Sequence, residues 1–124
     1  MAEHPFAYLR GRRYISLATF RKTGVPVLTP VWFAEREGKL YVMTRSDSGK
    51  YKRLRNNPRV RVAPCTSRGR VTGPDTLGTA RVLPPEEGAR ARRALARKYW
   101  LIRFPWLWSR KNIFLEIEPR TEEK

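Results

Sequence analysis

One segment, residues 40–62, constrains the fold of this chain more than any other. It opens with four apolar, β-prone residues, 40–43, which predict a buried strand. The polar sequence Ser-Asp-Ser-Gly at 46–49 then breaks the strand, and residues 50–55 predict a short helix. That helix ends at the Asn-Asn-Pro sequence of 56–58, because the residue before a proline is pushed out of the α region. The segment therefore predicts a strand, a short helix and a second strand in close succession.

The junction between the first strand and the helix is a candidate site for a phosphate group. Ser48 and Gly49 precede Lys50 there, and a helix N-terminus directs several backbone N–H groups towards one point. Seven basic residues and one acid lie between Arg45 and Arg61. The GxxxxGK[ST] spacing of a P-loop is absent from the sequence. A capped helix that exposes its lysines to solvent explains the same residues equally well, so both interpretations stay open.

The remaining apolar segments predict a mainly β fold with six strands. Short turns between the strands, including a polar hairpin turn at 35–39, favour antiparallel pairing in a small closed or nearly closed barrel. The second strand contains Pro26 and Pro30, which predicts an edge or bulged strand because proline donates no ladder hydrogen bond. A longer helix is predicted over 84–100, where prolines and acids suit the first turn. The six strands are predicted at residues 14–20, 25–34, 40–43, 59–64, 77–83 and 113–117.

The length of 124 residues predicts a single domain over 1–124, with an N-terminal arm at 1–13 and a frayed tail at 119–124. No apolar run approaches the ~20 residues that span a bilayer, and the N-terminus lacks the apolar core of a signal peptide. Cys65 is the single cysteine, which excludes an intrachain disulfide and a cysteine-based zinc site. We therefore expect a cytoplasmic protein with no membrane partner.

Side chains suited to catalysis are scarce in this sequence. His4 is the single histidine and falls in the predicted arm, and neither a Ser/His/Asp set nor paired buried carboxylates are apparent. Neighbouring Arg61, Arg68 and Arg70 would lower the pKa of the Cys65 thiol, but an inert thiol at a strand end is the simpler interpretation. No catalytic residue and no metal ligand is therefore assigned. An enzyme with this sequence is expected to rely on a cofactor for its chemistry.

Positive charge is the strongest global property of the chain. Its 27 Lys and Arg against 11 Asp and Glu give a net charge of +16, which attracts polyanions such as nucleic acids and phosphorylated cofactors. The aromatic residues cluster at 100–108 instead of alternating with basic residues along strands, so nucleic-acid binding is disfavoured. This aromatic run is predicted to fill the core or a dimer interface, with stacking on a ligand ring as the alternative.

Four motifs together resemble the flavin-binding split β-barrel superfamily, which includes pyridoxamine 5′-phosphate oxidase. They are the strand at 14–19, TPVWF at 29–33, LYVMTRSDSGK at 40–50 and RLRNNPRV at 53–60. The resemblance is closest to the short branch of flavin- or deazaflavin-dependent oxidoreductases, many of which use coenzyme F-420. It implies a six-stranded antiparallel split β-barrel with one short and one longer helix. It also implies a homodimer with the cofactor at the subunit interface.

The same resemblance implies which residues bind the cofactor. Ser48, Gly49 and Lys50 fall where relatives bind the cofactor phosphate, with Lys50 as the main ionic contact, and Thr44 ends the strand that lines the same groove. Gly49 stands where pyridoxamine 5′-phosphate oxidases carry an arginine, and their additional C-terminal segment has no counterpart here, so oxidation of vitamin B6 is not expected. The backbone along the flavin or deazaflavin ring would be that of Thr29, Pro30, Val31 and Trp32.

The function that follows from this resemblance is a dimeric oxidoreductase. Its reduced cofactor, F-420 or alternatively FMN, would pass hydride to a small unsaturated or electrophilic molecule, with the acceptor and any proton donor unassigned. The anionic tail of F-420 would gain more from a basic groove than the single phosphate of FMN, which favours the deazaflavin. The first alternative is a non-catalytic flavin or deazaflavin carrier, and the second is a basic nucleic-acid-binding barrel.

Overall fold

Seven antiparallel strands form one sheet in the computed structural model, which describes residues 4–99 and 112–120. The strand order is β2-β1-β5-β6-β7-β4-β3, so β2 and β3 are the two edges. A single 3-10 turn, Ala7–Leu9, precedes the first strand. The strands are β1 (Tyr14–Phe20), β2 (Pro26–Val31), β3 (Ala34–Arg36), β4 (Lys39–Arg45), β5 (Arg59–Cys65), β6 (Thr76–Val82) and β7 (Asn112–Pro119). The helices are α1 (Gly49–Asn56) and α2 (Pro85–Lys98).

The structure confirms the mainly β class, the antiparallel pairing and the presence of one short and one longer helix. The predicted count of six strands is one too low. The segment predicted as one strand at 25–34 divides into β2 and the start of β3. The turn predicted at 35–39 is shorter than expected, because Glu37 and Gly38 have φ angles of 53° and 82°. Two positive φ angles characterise a two-residue type I′ hairpin turn. The residues on either side are therefore free to pair as β3 and β4.

The edge position of β2 agrees with its two prolines. Pro26 and Pro30 lie opposite Phe20 and Ser16 of β1, and β1 is the strand's single neighbour in the sheet of described residues. An edge strand has one side without a ladder, which is where residues that lack an N–H cost least. The prediction from proline positions is therefore confirmed.

The core consists of two hydrophobic clusters. The first contains strand residues such as Leu17 and Val42 together with Phe6 and Leu9, all four of them fully buried. The described part of the N-terminal segment is therefore packed into the core, where the sequence had predicted an arm. The second cluster joins α2 to the sheet through Ala34, Tyr41, Leu83, Ala91, Ala94, Leu95 and Tyr99.

The two helices lie at different parts of the sheet. Helix α1 packs against β1 and β4, and α2 packs against β3, β4 and β7. Acids in the first turn of α2 and bases in its last turn complement the helix dipole, as predicted. The aromatic run at 100–108 and residues 121–124 of the predicted tail lie outside the described residues. No helix of the described ranges is long and apolar enough to cross a membrane.

Candidate cofactor site

A cavity of about 220 Å³ lies where β2, β4, α1 and α2 approach one another. We call it the cofactor cavity. Five of its lining residues are among the eight predicted to bind a cofactor, and the sequence did not indicate the other two, Met43 and Leu95. The other three predicted residues do not line it: Thr29 and Gly49 are adjacent in the chain to lining residues, and Ser48 lies two residues before Lys50. The five predicted residues that line the cavity are Pro30, Val31, Trp32, Thr44 and Lys50.

The local sequence explains how these residues come together. Strand β4 ends at Arg45, and the short Ser46-Asp47-Ser48 turn leads directly into α1, so that Thr44 and Lys50 lie at one corner. Helix α1 also packs against β1, and β1 is paired with β2 in the sheet. The end of β2 therefore lies near the same corner. The strand-turn-helix pattern read from the sequence therefore forms one wall of the cavity, and β2 forms another.

Ser48 caps the N-terminus of α1. Its backbone is extended, with φ −80° and ψ 156°, and its Oγ accepts a hydrogen bond of 3.2 Å from the backbone N of Tyr51. The Ser48 Oγ also lies 3.2 Å from the Oγ1 of Thr44. The helix cap that the sequence left as an alternative is therefore present. A capped N-terminus still directs the N–H groups of its first turn outward, so capping and anion binding are compatible here.

Lys50 is a half-buried cation in this cavity. Burial, and secondarily the positive charge of Arg53, lower the pKa of its ammonium group below the usual 10.5. None of the acidic side chains described in the structure forms a salt bridge with it. A cation that is partly removed from water without a counter-charge is a favourable partner for an anionic group.

Thr29 supplies a second unsatisfied group. Its Oγ1 is buried and has no hydrogen-bond partner among the described residues. In a strand, alternate residues share a face, so Thr29 lies on the same face of β2 as Val31, which lines the cavity. A buried hydroxyl without a partner is costly, but Thr29 does not itself line the cavity. Lys50 is therefore the unsatisfied group of this cavity that fits the phosphate of a flavin-like molecule.

Trp32 is held in place by a residue that the sequence did not indicate. Its ring stacks on Tyr99, with centroids 4.6 Å apart and planes 3° from parallel. The Tyr99 hydroxyl accepts a hydrogen bond of 3.2 Å from the backbone N of Phe33 and lies 3.0 Å from the Phe33 carbonyl oxygen. Burial raises the pKa of Tyr99 to about 12, so the hydroxyl stays neutral. No motif points to Tyr99, because its role depends on how α2 docks.

Gly49 leaves room for a neighbouring guanidinium. A Cβ atom at this position would lie 2.8 Å from Nη1 of Arg53, one turn further along α1. The Nε of Arg53 donates a 2.6 Å hydrogen bond to Oγ1 of Thr19, a buried residue of β1. Arg53 therefore places a fixed positive charge beside the position where the related oxidases carry an arginine.

The other residues considered from the sequence lie elsewhere. Cys65 is half-buried at the end of β5, and burial raises the pKa of its thiol, so an inert thiol is the better description. His4 accepts a 3.2 Å hydrogen bond from the backbone N of Phe6 through Nδ1 and lies close to Gly38, at the hairpin turn between β3 and β4. Neither side chain lines the cofactor cavity.

Solved structures with the same fold are known, although the sequence has no significant match among curated proteins. A conserved hypothetical protein of Mycobacterium tuberculosis is 24% identical, with a TM-score of 0.73 over 98% of this chain and 82% of that protein. An F420 reductase is 20% identical, with a TM-score of 0.68 over 98% and 97% of the two chains. The heme storage protein HutZ of Vibrio cholerae is 12% identical, with a TM-score of 0.75 over 93% and 87%. Identities this low establish a common fold alone.

The sequence itself establishes the family. The sequence model of the family described as pyridoxamine 5′-phosphate oxidase matches residues 1–121, nearly the whole chain. The match agrees with the antiparallel sheet and two helices, and with the resemblance carried by the motifs between residues 14 and 60. The chain therefore belongs to the pyridoxamine 5′-phosphate oxidase family, within the flavin-binding split β-barrel superfamily.

Proposed function

We propose that this chain is an oxidoreductase that binds a deazaflavin of the F-420 type, or alternatively FMN, in the cofactor cavity. The observation that carries the proposal is Lys50, a half-buried cation with no acidic partner in the described part of the chain. An anion stabilises a desolvated ammonium group, and both cofactors carry a phosphate that would do so.

The phosphate end of the cofactor would lie at the N-terminus of α1. Lys50 would provide its main ionic contact, and Ser48, Gly49 and the first-turn N–H groups would provide hydrogen bonds. Arg53 would add a second positive charge, because its guanidinium lies beside Gly49. We infer that Arg53 compensates for the arginine that the related oxidases carry in place of Gly49.

The ring end of the cofactor would lie along the end of β2. Thr29, Pro30, Val31 and Trp32 would form the strand beside it, and the stack with Tyr99 would fix the indole of Trp32. Met43 and Leu95 add apolar surface to the cavity, which excludes water from the ring. When bound, the cofactor would supply the hydride chemistry, and the residues of this chain would bind and orient it. The acceptor would be a small unsaturated or electrophilic molecule.

The preference for F-420 over FMN rests on charge. F-420 carries a phosphodiester and a polyglutamate tail, whereas FMN offers one phosphate group. A protein with a net charge of +16 stabilises the more highly charged ligand more strongly, and the difference decreases as salt screens it. Affinity for F-420 should therefore fall more steeply with salt than affinity for FMN.

A homodimer is part of the proposal, because the resemblance implies a cofactor at the subunit interface. Exposed apolar side chains support it: Val25 and Leu28 at β2 are 52% and 53% exposed, and Val71 in the loop before β6 is 44% exposed. Leu28 and Val71 line the same cavity, so they lie near each other on the surface. Replacing Leu28 with Arg should convert a dimer into a monomer in light-scattering measurements, and a wild-type monomer would contradict this part of the proposal.

The experiment that tests the proposed function is a fluorescence titration of the purified protein with F-420 and, separately, with FMN at two salt concentrations. We expect saturable binding that is tighter for F-420. Lys50→Ala should weaken it by about 1–3 kcal/mol, the contribution of a charged hydrogen bond. Lys52→Ala is the matched control, because Lys52 is an exposed lysine of the same helix, and it should change little.

The possible results separate the alternatives. Equal affinity of the Lys50→Ala and wild-type proteins would remove Lys50 from the site. Tighter binding of FMN would leave the fold assignment unchanged and indicate a flavin-dependent protein. Binding without turnover of any acceptor would indicate a carrier, and binding of neither cofactor would contradict the proposed function.

A further inference from the structure

A second cavity, of about 260 Å³, lies between the β3–β4 hairpin and α2. We call it the cationic cavity. Arg36 and Lys39 line it from the hairpin, and Arg90, Arg93 and Arg97 line it from α2. It shares no lining residue with the cofactor cavity. Both cavities adjoin β4, one at Tyr41 and the other at Met43, so they lie two residues apart on one face of that strand.

The arginines of α2 are arranged along one face of the helix. Arg90, Arg93 and Arg97 are separated by three and four residues, a spacing that brings their side chains together. Like charges at this spacing destabilise a helix. The concentration of charge is therefore a cost to the free protein, and a bound anion would relieve it.

A buried carboxylate fixes one wall of the cavity. Glu116 of β7 has a side chain that is 2% exposed, and it accepts hydrogen bonds of 3.0 Å each from Arg81, Arg90 and the hydroxyl of Tyr41. Burial raises the pKa of Glu116, but the bonds from Arg81 and Tyr41 outweigh this effect and lower it overall. Glu116 stays ionised and holds Arg90 in position, so part of the cavity is pre-organised.

Lys39 is also paired, with Glu116 and Glu118, but the other three cations of the cavity have no acidic partner among the described residues. Arg36, Arg93 and Arg97 form no salt bridge with any acid among residues 4–99 and 112–120. Glu37 at the hairpin turn also lines the cavity. The three unpaired arginines and the one lining acid, Glu37, leave an excess of two positive charges. Guanidinium groups with free donors match the oxygens of phosphate in geometry as well as charge.

We propose that the cationic cavity binds a compact oligophosphate, separately from the cofactor. Five of its eight lining residues are Arg or Lys, so it suits a small, highly charged group. A nucleic acid is a poorer fit, because single strands need exposed aromatic faces for stacking. The one aromatic lining residue, Tyr41, is buried, and its hydroxyl is bonded to Glu116.

The test is isothermal titration calorimetry with sodium tripolyphosphate at constant ionic strength. Wild-type protein should bind one equivalent with saturation. The double variant Arg93→Gln/Arg97→Gln should bind at least about tenfold more weakly, because charged hydrogen bonds are lost. The double variant Arg68→Gln/Arg70→Gln is the matched control: it loses the same charge from exposed positions in the loop before β6 and should keep wild-type affinity.

Three further measurements make the result decisive. Affinity for F-420 or FMN should be the same in the Arg93→Gln/Arg97→Gln variant and in the charge-matched Arg68→Gln/Arg70→Gln control, which separates this inference from the proposed function. Should that variant fail to fold, Arg36→Gln on the hairpin must show the weakened binding instead. Absence of saturation in the wild type, or equal weakening in the loop control, would overturn the inference. The inference would also be overturned if single-stranded RNA displaced tripolyphosphate from the wild type and bound both double variants with equal affinity.

Discussion

Two charged groups, Glu116 and Lys50, are both withdrawn from water, but they differ in the partners that surround them. The carboxylate of Glu116 is surrounded by Arg81, Arg90 and the hydroxyl of Tyr41, each at 3.0 Å. The ammonium of Lys50 is half-buried beside another cation, Arg53, and has no acidic partner among the described residues. Both side chains lost hydration when the chain folded, and only the carboxylate regained an equivalent set of contacts.

This difference separates a structural charge from one that is available to a ligand. A buried charge with complete hydrogen bonding is stable within the fold, whereas a desolvated charge without a counter-charge raises the free energy of the folded state. The cost at Lys50 would be recovered if an anion bound there. We therefore propose that Glu116 organises the structure and that Lys50 binds a ligand, and the following predictions test that distinction.

The largest effect is expected at Glu116. Glu116→Gln should lower the free energy of unfolding by about 3 kcal/mol, because hydrogen bonds to charged groups are lost and their partners keep their charge. Chemical denaturation of the variant and the wild type measures this difference. The matched control is Glu118→Gln: Glu118 is 56% exposed and pairs with Lys39 at 3.1 Å, and its loss should cost less than about 1 kcal/mol. Equal costs would show that Glu116 has no special structural role.

Lys50 should show the opposite pattern, with a loss of binding and no loss of stability. Lys50→Met keeps an unbranched side chain of similar length and removes the charge. Its free energy of unfolding should stay within about 0.5 kcal/mol of the wild type or rise, while cofactor affinity falls by about 1–3 kcal/mol. Denaturation and fluorescence titration of the same preparation measure both quantities. A clear loss of stability would mean that Lys50 has a structural partner and that the distinction from Glu116 is false.

Much of the fold follows from local sequence rules. The strand-turn-helix segment, the edge position of β2 and the acidic start of α2 depend on residues close to one another in the chain, and each agrees with the structure. The extra strand β3 was missed because a type I′ turn at Glu37-Gly38 uses two residues where five had been assigned to the turn. Three residues cannot show the alternation by which longer strands are recognised.

The residues of the candidate site also divide into those that a local motif predicts and those that depend on distant contacts. Lys50 and Thr44 come together because a short turn joins their elements, so a local motif is sufficient to predict them. Tyr99 and Glu116 depend on the docking of α2 against strands that are distant in sequence. Alternation along β7 predicts that Glu116 and Leu115 face opposite sides of the sheet, yet both are buried, because α2 and its arginines cover the side that holds Glu116.

The pH dependence of stability should also distinguish the two charges. Because the pKa of Glu116 is below its usual 4.5 in the folded state, its contribution is present above the unfolded value and is lost as pH falls through the folded value. Because the pKa of Lys50 is below its usual 10.5, its penalty persists at neutral pH and is relieved as pH rises towards 10.5. Chemical denaturation at a series of pH values measures both effects. The loss of stability at acid pH should be smaller in Glu116→Gln than in the wild type, and the gain of stability at alkaline pH should be smaller in Lys50→Met. Unchanged slopes in either variant would contradict its assignment.

The smallest effect is expected at Gly49, where the site can be changed without removing a charge. Gly49→Arg introduces the residue type that the related oxidases carry there, but a Cβ atom would lie 2.8 Å from Nη1 of Arg53, so that side chain must shift. The position is exposed, and one added charge there contributes less than about 1 kcal/mol. FMN affinity should therefore increase by no more than about fivefold in a fluorescence titration. Gly49→Ala is the control, because it displaces Arg53 without adding a charge. If Arg53 already supplies the second cation, Gly49→Ala should weaken FMN binding. Unchanged binding would show that Lys50 acts alone at the phosphate.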